Sequence, residues 1–186
     1  MTLEDLQKLD AGSHFFPKFK GEKIPRLEQV LRLPGPTVPL IIEVKVESSG
    51  EEMISIVNQL IVLIDRYKPE DSVVISAFNP YVLKAFKERS PTIFRALLYS
   101  DFNTEPNLSP LTKFILKHRL IRRLADPIIL MPQERIVRKR NVKVQQKKGY
   151  KIIPWTVNED TATQKFITMG VDGLITDRPS YTRRLL

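Results

Sequence analysis

Ser72-Val73-Val74-Ile75-Ser76-Ala77-Phe78-Asn79-Pro80 joins an apolar, β-branched run to a helix-opening pair. Apolar residues at consecutive positions suit a strand buried on both faces. Asparagine is a good N-cap and proline fits the first helical position, so a helix is predicted from Pro80 through Glu88. Five further runs share the strand character, at residues 40–46, 92–99, 127–131, 151–157 and 173–176. Helical stretches separate them. Ser49-Gly50-Glu51-Glu52 has capping-box spacing and opens a helix through Asp65. Ser109-Pro110 repeats the Asn79-Pro80 signal, Asn158 is placed to cap a helix through Met169, and Gly170 and Gly149 close the helices before them. Residues 24–33 read as another helix, with Pro25 at its start and Pro34 beyond its end. Strand and helix in alternation imply a parallel sheet built from βαβ units. Six strands fall about two short of a closed eight-stranded barrel, which needs about 250 residues. An open doubly wound sheet is the structural alternative, but no glycine-rich turn marks a dinucleotide site.

Composition sets the class. The 186 residues are 42% hydrophobic, enough for one substantial core and too apolar for a disordered chain. Without cysteine there is no disulfide scaffold, no thiol nucleophile and no thiolate metal site. Two histidines exclude a histidine-rich cluster. No run approaches the ~18 to 20 apolar residues of a membrane span. The acidic, amphipathic start MTLEDLQKLD is not a secretory signal, and a cytoplasmic location is expected. Residues 1–186 read as a single domain without repeats or linkers.

Charge is unevenly spread. The formal net charge is +9, yet residues 111–151 hold thirteen Lys/Arg against Asp126 and Glu134 alone. Such a block attracts phosphate on lipid, nucleic acid or a small diester, although most charge runs are simply solvated. The apolar residues of 111–124 fall all around the helical wheel, which argues against a membrane-surface helix there. No aromatic residue interleaves with the cations of 135–148, so base stacking is not indicated and no nucleic-acid partner is expected.

Four stretches in order carry a family resemblance. Leu6-Gln7-Lys8-Leu9-Asp10-Ala11-Gly12-Ser13 leads into Phe15-Phe16, Gly21-Glu22 and Ile24-Pro25-Arg26-Leu27-Glu28-Gln29-Val30-Leu31. Ile41-Ile42-Glu43-Val44-Lys45 comes second and Val73-Val74-Ile75-Ser76-Ala77-Phe78 third. Trp155-Thr156-Val157-Asn158 and Gly170-Val171-Asp172-Gly173-Leu174-Ile175-Thr176-Asp177-Arg178-Pro179 complete the set. In this order and spacing the chain resembles the glycerophosphodiester phosphodiesterases from end to end. The resemblance implies an α/β fold of TIM-barrel (β/α)8 type. It also implies hydrolysis of glycerophosphodiesters to glycerol 3-phosphate and an alcohol. A divalent ion, Mg2+ or Ca2+, would be held by carboxylates, and two histidines would act as base and acid.

Carried over by position, Glu43 matches the metal-ligand glutamate and Lys45 the catalytic lysine that contacts the phosphate. Positions i and i+2 of a strand share a face, so both side chains can point to the carboxyl-end mouth of a barrel. The bland alternative is a pair of ordinary charges at a strand end. Trp155 matches a tryptophan beside the substrate, with a core aromatic as its alternative, and Phe78 matches a residue lining the mouth. Ala77 stands where serine is common. Asp177 ends the last predicted strand, where capping or pairing with Arg178 competes with a catalytic role.

The histidines of the resemblance have no counterpart. The family's His-Arg-Gly, Glu-x-Asp and His-Asp motifs precede the region matched by Met1-Thr2-Leu3. His14 lies where an aromatic residue is usual. His118 is followed by Arg119 and Leu120 rather than Arg-Gly, and both read as ordinary surface histidines. The expectation is an incomplete barrel with about six of eight strand–helix units, a fragment or an inactive form, in which Glu43 alone is a poor site for a hard cation. A partner or second copy covering the open side is then expected. Two alternatives stand beside this one: a non-catalytic homologue that binds phosphodiesters or a partner, and a basic binder of anionic lipid or nucleic acid.

Overall fold

The β-branched runs assemble into one parallel sheet. In the computed structural model, residues 1–33, 38–46, 50–67, 72–101 and 122–185 are described. The strands are β1 (Leu40–Glu43), β2 (Val73–Ala77), β3 (Phe94–Tyr99), β4 (Ile129–Pro132) and β5 (Lys151–Ile152). Their order in the sheet is β1-β2-β3-β4-β5, every pair parallel. The helices are α1 (Leu3–Lys8), α2 (Leu27–Leu31), α3 (Glu51–Tyr67), α4 (Pro80–Arg89), α5 (Arg122–Ala125), α6 (Lys139–Gln146), α7 (Asp160–Met169) and α8 (Pro179–Thr182). This is the α/β pattern of an incomplete TIM barrel.

Side chains alternate between two apolar layers, as the pleat requires. Val73, Ile75, Ala77, Leu97, Leu130 and Ile152 pack outward against α3, α4, α6 and α7 through Val57, Ile64, Leu83, Phe86, Val142 and Phe166. Val74, Ala96, Leu98, Ile129 and Met131 form the opposite, inner layer, joined by Phe78, Ile153, Trp155 and Ile175. The register sets Ile41 beside Val74 and Val74 beside Phe94, so both neighbours belong to the inner layer. Ile41 is 45% exposed, so this layer is open at β1, and Phe94, at the amino end of β3, is 40% exposed.

Several expected boundaries shift. The sixth strand, at 173–176, does not form as a regular strand. Its backbone still bonds the segment after β5, Ile175 N–H donating to Pro154 O and Val157 N–H to Ile175 O. Pro154 has no N–H to offer, which interrupts the ladder there. The helix expected over 24–33 contracts to α2, where the Gln29 side chain accepts from the Arg26 N–H. Asn79 caps α4 as expected, accepting from Tyr81 N–H at 3.0 Å. Asn158 does not cap α7; Glu159 holds the N-cap position without a side-chain bond. Gly170 ends α7 in the left-handed region, at φ 69° and ψ 48°. The expectations at Ser49 and Ser109-Pro110, and most of 111–124, lie outside the described residues.

The N-terminal segment is folded around Asp10. Its carboxylate accepts the N–H groups of Gly12, Ser13 and Gly21. Those three donors, Ser13 foremost, hold its carboxyl far below the ordinary carboxylate value. Among the described residues no helix is long and apolar enough to cross a membrane.

Candidate active site at the carboxyl ends of the strands

Parallel strands leave their carboxyl ends along one rim, and the four predicted site residues all sit on it. Glu43 is the last residue of β1 and lies beside Ser76 of β2 in the register. Lys45 follows two residues on, held close to the sheet by the Val44 N–H bond to Ser76 O at 2.8 Å. The Lys45 Nζ stands 4.0 Å from Glu43 Oε2, with side chains 79% and 38% exposed. Screening at that exposure makes the pair a weak tether, leaving the ammonium available to an anion.

Phe78 follows β2 and Trp155 follows β5, yet the two rings meet edge to face with centroids 5.5 Å apart and planes at 89°. Such T-shaped contact is a favoured aromatic geometry. The Trp155 indole N–H donates to Met131 O at 2.7 Å, and Gln133 bridges to Trp155 in parallel register. Both rings are partly buried and pack against the inner apolar layer.

Sequence reasoning missed Glu134, one residue past that bridge. Its N–H donates to Trp155 O at 2.7 Å, and its Oε2 is buried with no hydrogen-bond partner among the described residues. Position at a strand end was the available signal. Next to it Arg135 reaches Asp101, beyond β3, at 3.4 Å.

Asp177 is paired with Asn158. Its Oδ2 accepts from Asn158 Nδ2 at 2.7 Å, and its N–H donates to Asn158 Oδ1 at 3.0 Å. Asn158 also accepts from the Thr176 hydroxyl. The Arg178 guanidinium lies over the Tyr181 ring at 4.2 Å and donates to Asn158 O. Asn158, expected as a helix cap, is thus the clasp of the last loop.

A divalent ion does not fit the described residues by themselves. Among them no three His, Cys, Asp or Glu side chains gather into a cluster. Glu43 offers one exposed carboxylate with an ammonium beside it, whereas Mg2+ or Ca2+ takes six or more oxygens. His14 is exposed in the Asp10 loop, and His118 lies outside the described residues.

The family model of the glycerophosphoryl diester phosphodiesterase family matches residues 1–181. The chain belongs to that family. A glycerophosphodiester phosphodiesterase of Caldanaerobacter subterraneus is 35% identical over 178 residues, covering 96% of this chain and 68% of that protein. One from Bacillus altitudinis is 28% identical, covering 96% and 69%. Among solved structures, an Oleispira antarctica phosphodiesterase in complex with the product sn-glycerol-3-phosphate superposes with a TM-score of 0.79. It is 21% identical and covers all of this chain and 70% of that one. A Parabacteroides distasonis glycerophosphodiester phosphodiesterase gives a TM-score of 0.74 at 24% identity, covering 99% and 70%. This glycerophosphodiester phosphodiesterase-like chain therefore spans a little over two thirds of such relatives.

Proposed function

We propose that the rim formed by Glu43, Lys45, Phe78 and Trp155 binds the phosphate and glycerol of a glycerophosphodiester. The reaction served is hydrolysis to glycerol 3-phosphate and an alcohol. In it, water oxygen bonds to phosphorus, the phosphorus–alcohol oxygen bond breaks, and the released alcohol takes a proton. Lys45 is the phosphate contact, because its ammonium is exposed on the rim and only loosely tied to Glu43. The Phe78–Trp155 pair forms an apolar wall against which the glycerol carbons rest. Glu43 presents its carboxylate to the same space and is, of these four residues, the one suited to a cation. No histidine among the described residues stands on this rim, so the reading assigns binding and orientation to these side chains and no proton transfer. Residues 1–186 form one domain in this reading, of cytoplasmic location.

The observation that carries the reading is that Phe78 and Trp155, 77 positions apart in the sequence, meet on the rim that also carries Glu43 and Lys45. Titration of the purified protein with sn-glycerol 3-phosphate tests it. Saturable binding is expected, and Lys45→Met should weaken it on the order of 10- to 100-fold, as for loss of a charged hydrogen bond. Lys45→Arg should recover part of the loss. Undiminished binding to Lys45→Met would refute the assignment. Assay of glycerophosphocholine turnover, with and without Mg2+ or Ca2+, separates binding from catalysis.

A further inference from the structure

The cations of α6 stand apart from the other charges of the protein. Val142 and Gln145 are its buried positions, 2% and 8% exposed, and they turn toward the sheet. At 3.6 residues per turn the opposite face carries two rows, Lys139-Lys143-Lys147 and Arg140-Val144-Lys148, each at i, i+4, i+8. The last residue of each row belongs to the turn that continues the helix. Three cations on other helices have a carboxylate at that spacing: Lys8 with Glu4, Arg32 with Glu28, Lys84 with Glu88. On α6, among the described residues, none of the five cations has an ion-pair partner. The first turn holds no acidic residue, and Arg138 at the N-cap adds a cation at the positive end of the helix dipole. Like charges at i, i+4 weaken a helix, so the arrangement opposes the stability of its own element.

We propose that this face of α6 is where the protein adsorbs to an anionic lipid bilayer. A bilayer surface attracts clusters of four to eight Lys/Arg through lipid headgroup charge, and docking there removes the mutual repulsion of the cations. Val144, 41% exposed in the middle of the cationic face, supplies a small apolar contact that a phosphate-rich interface accepts. A single-stranded nucleic acid fits less well, because no aromatic residue lies among these cations to stack on a base, and a duplex backbone offers no apolar depth to the exposed Val144. The site on the strand rim is a separate feature, and this inference does not depend on it.

Sedimentation of the purified protein with vesicles of phosphatidylcholine containing about 30% phosphatidylserine tests the proposal. Binding should be strong at about 50 mM salt and fall steeply by about 300 mM. The variant K139Q/K143Q/K147Q should bind about 100-fold more weakly, near fivefold per cation removed. It should unfold within a few degrees of the parent, since the relieved repulsion offsets the loss of the Lys143 ammonium beside Gly170 at the end of α7. K20Q/K23Q/K165Q makes the same change in net charge away from α6 and should weaken binding by less than about fivefold. Equal weakening in both variants would reduce the effect to net charge and overturn the proposal. No vesicle binding at low salt would overturn it as well, as would tighter binding to duplex DNA than to vesicles at equal phosphate concentration.

Discussion

Gly12 lies so close to the Phe19 backbone that a Cβ built there would stand 2.1 Å from its carbonyl oxygen. Gly12→Ala must therefore displace the loop centred on Asp10, and a loss of about 2 kcal/mol is expected, comparable to overpacking a core. Thermal unfolding reads it, and an unchanged midpoint would mean that the loop shifts freely. At Trp155 the polar tip is at stake. Trp155→Phe keeps an aromatic face toward Phe78 but removes the indole donor to Met131 O. The expected loss is about 1–2 kcal/mol of stability, measured by denaturant unfolding. Glu43, Lys45, Phe78 and Trp155 were legible because each sits in a short stretch that resembles the family. The Met131 acceptor and the buried oxygen of Glu134 were not legible. They depend on which residue of β4 stands opposite the chain after β5, and that register is set by tertiary packing rather than by any local pattern.

Asp172 shows how elements are tied together. Its carboxylate accepts the Ile152 N–H of β5, the Gln146 amide of α6 and the Lys151 ammonium. Burial pushes its carboxyl up, but those three donors outweigh it and hold the group below its ordinary value. A lowered folded-state value means that the stabilisation is complete above the unfolded-state value, near pH 4, and fades as pH falls through the folded one. Asp172→Ala should lose about 2 kcal/mol at pH 7. The gap between parent and variant should narrow at about pH 3. A gap of equal size at both pH values would show that the ionised form contributes nothing. Helix ends were legible where one residue decides them, as at Asn79 and Gly170. Asn158 misled because its side chain had a second set of partners 18 and 19 residues later, in Thr176 and Asp177, and bonded those instead.

At the scale of the whole molecule, the sheet is buried unequally from centre to edge. Ile75 in β2 is fully buried, whereas Ile41 in the edge strand β1 is 45% exposed. Ile75→Ala should lose about 3–4 kcal/mol through lost burial and the cavity left behind. Ile41→Ala should lose under about 1 kcal/mol, because much of its surface already meets water. Paired denaturant titrations compare the two, and similar losses would show that β1 is covered on its inner side. The alternation of strand and helix was legible because parallel strands are written as unbroken apolar runs. The missing sixth strand was not, because one proline halted a ladder that the apolar pattern continued. The sheet order β1-β2-β3-β4-β5 repeats the order of the chain. During synthesis on the ribosome, each strand from β2 onward emerges when the neighbour it pairs with has already been made. The fold can therefore grow by one unit at a time as the chain lengthens, without waiting for a distant terminus.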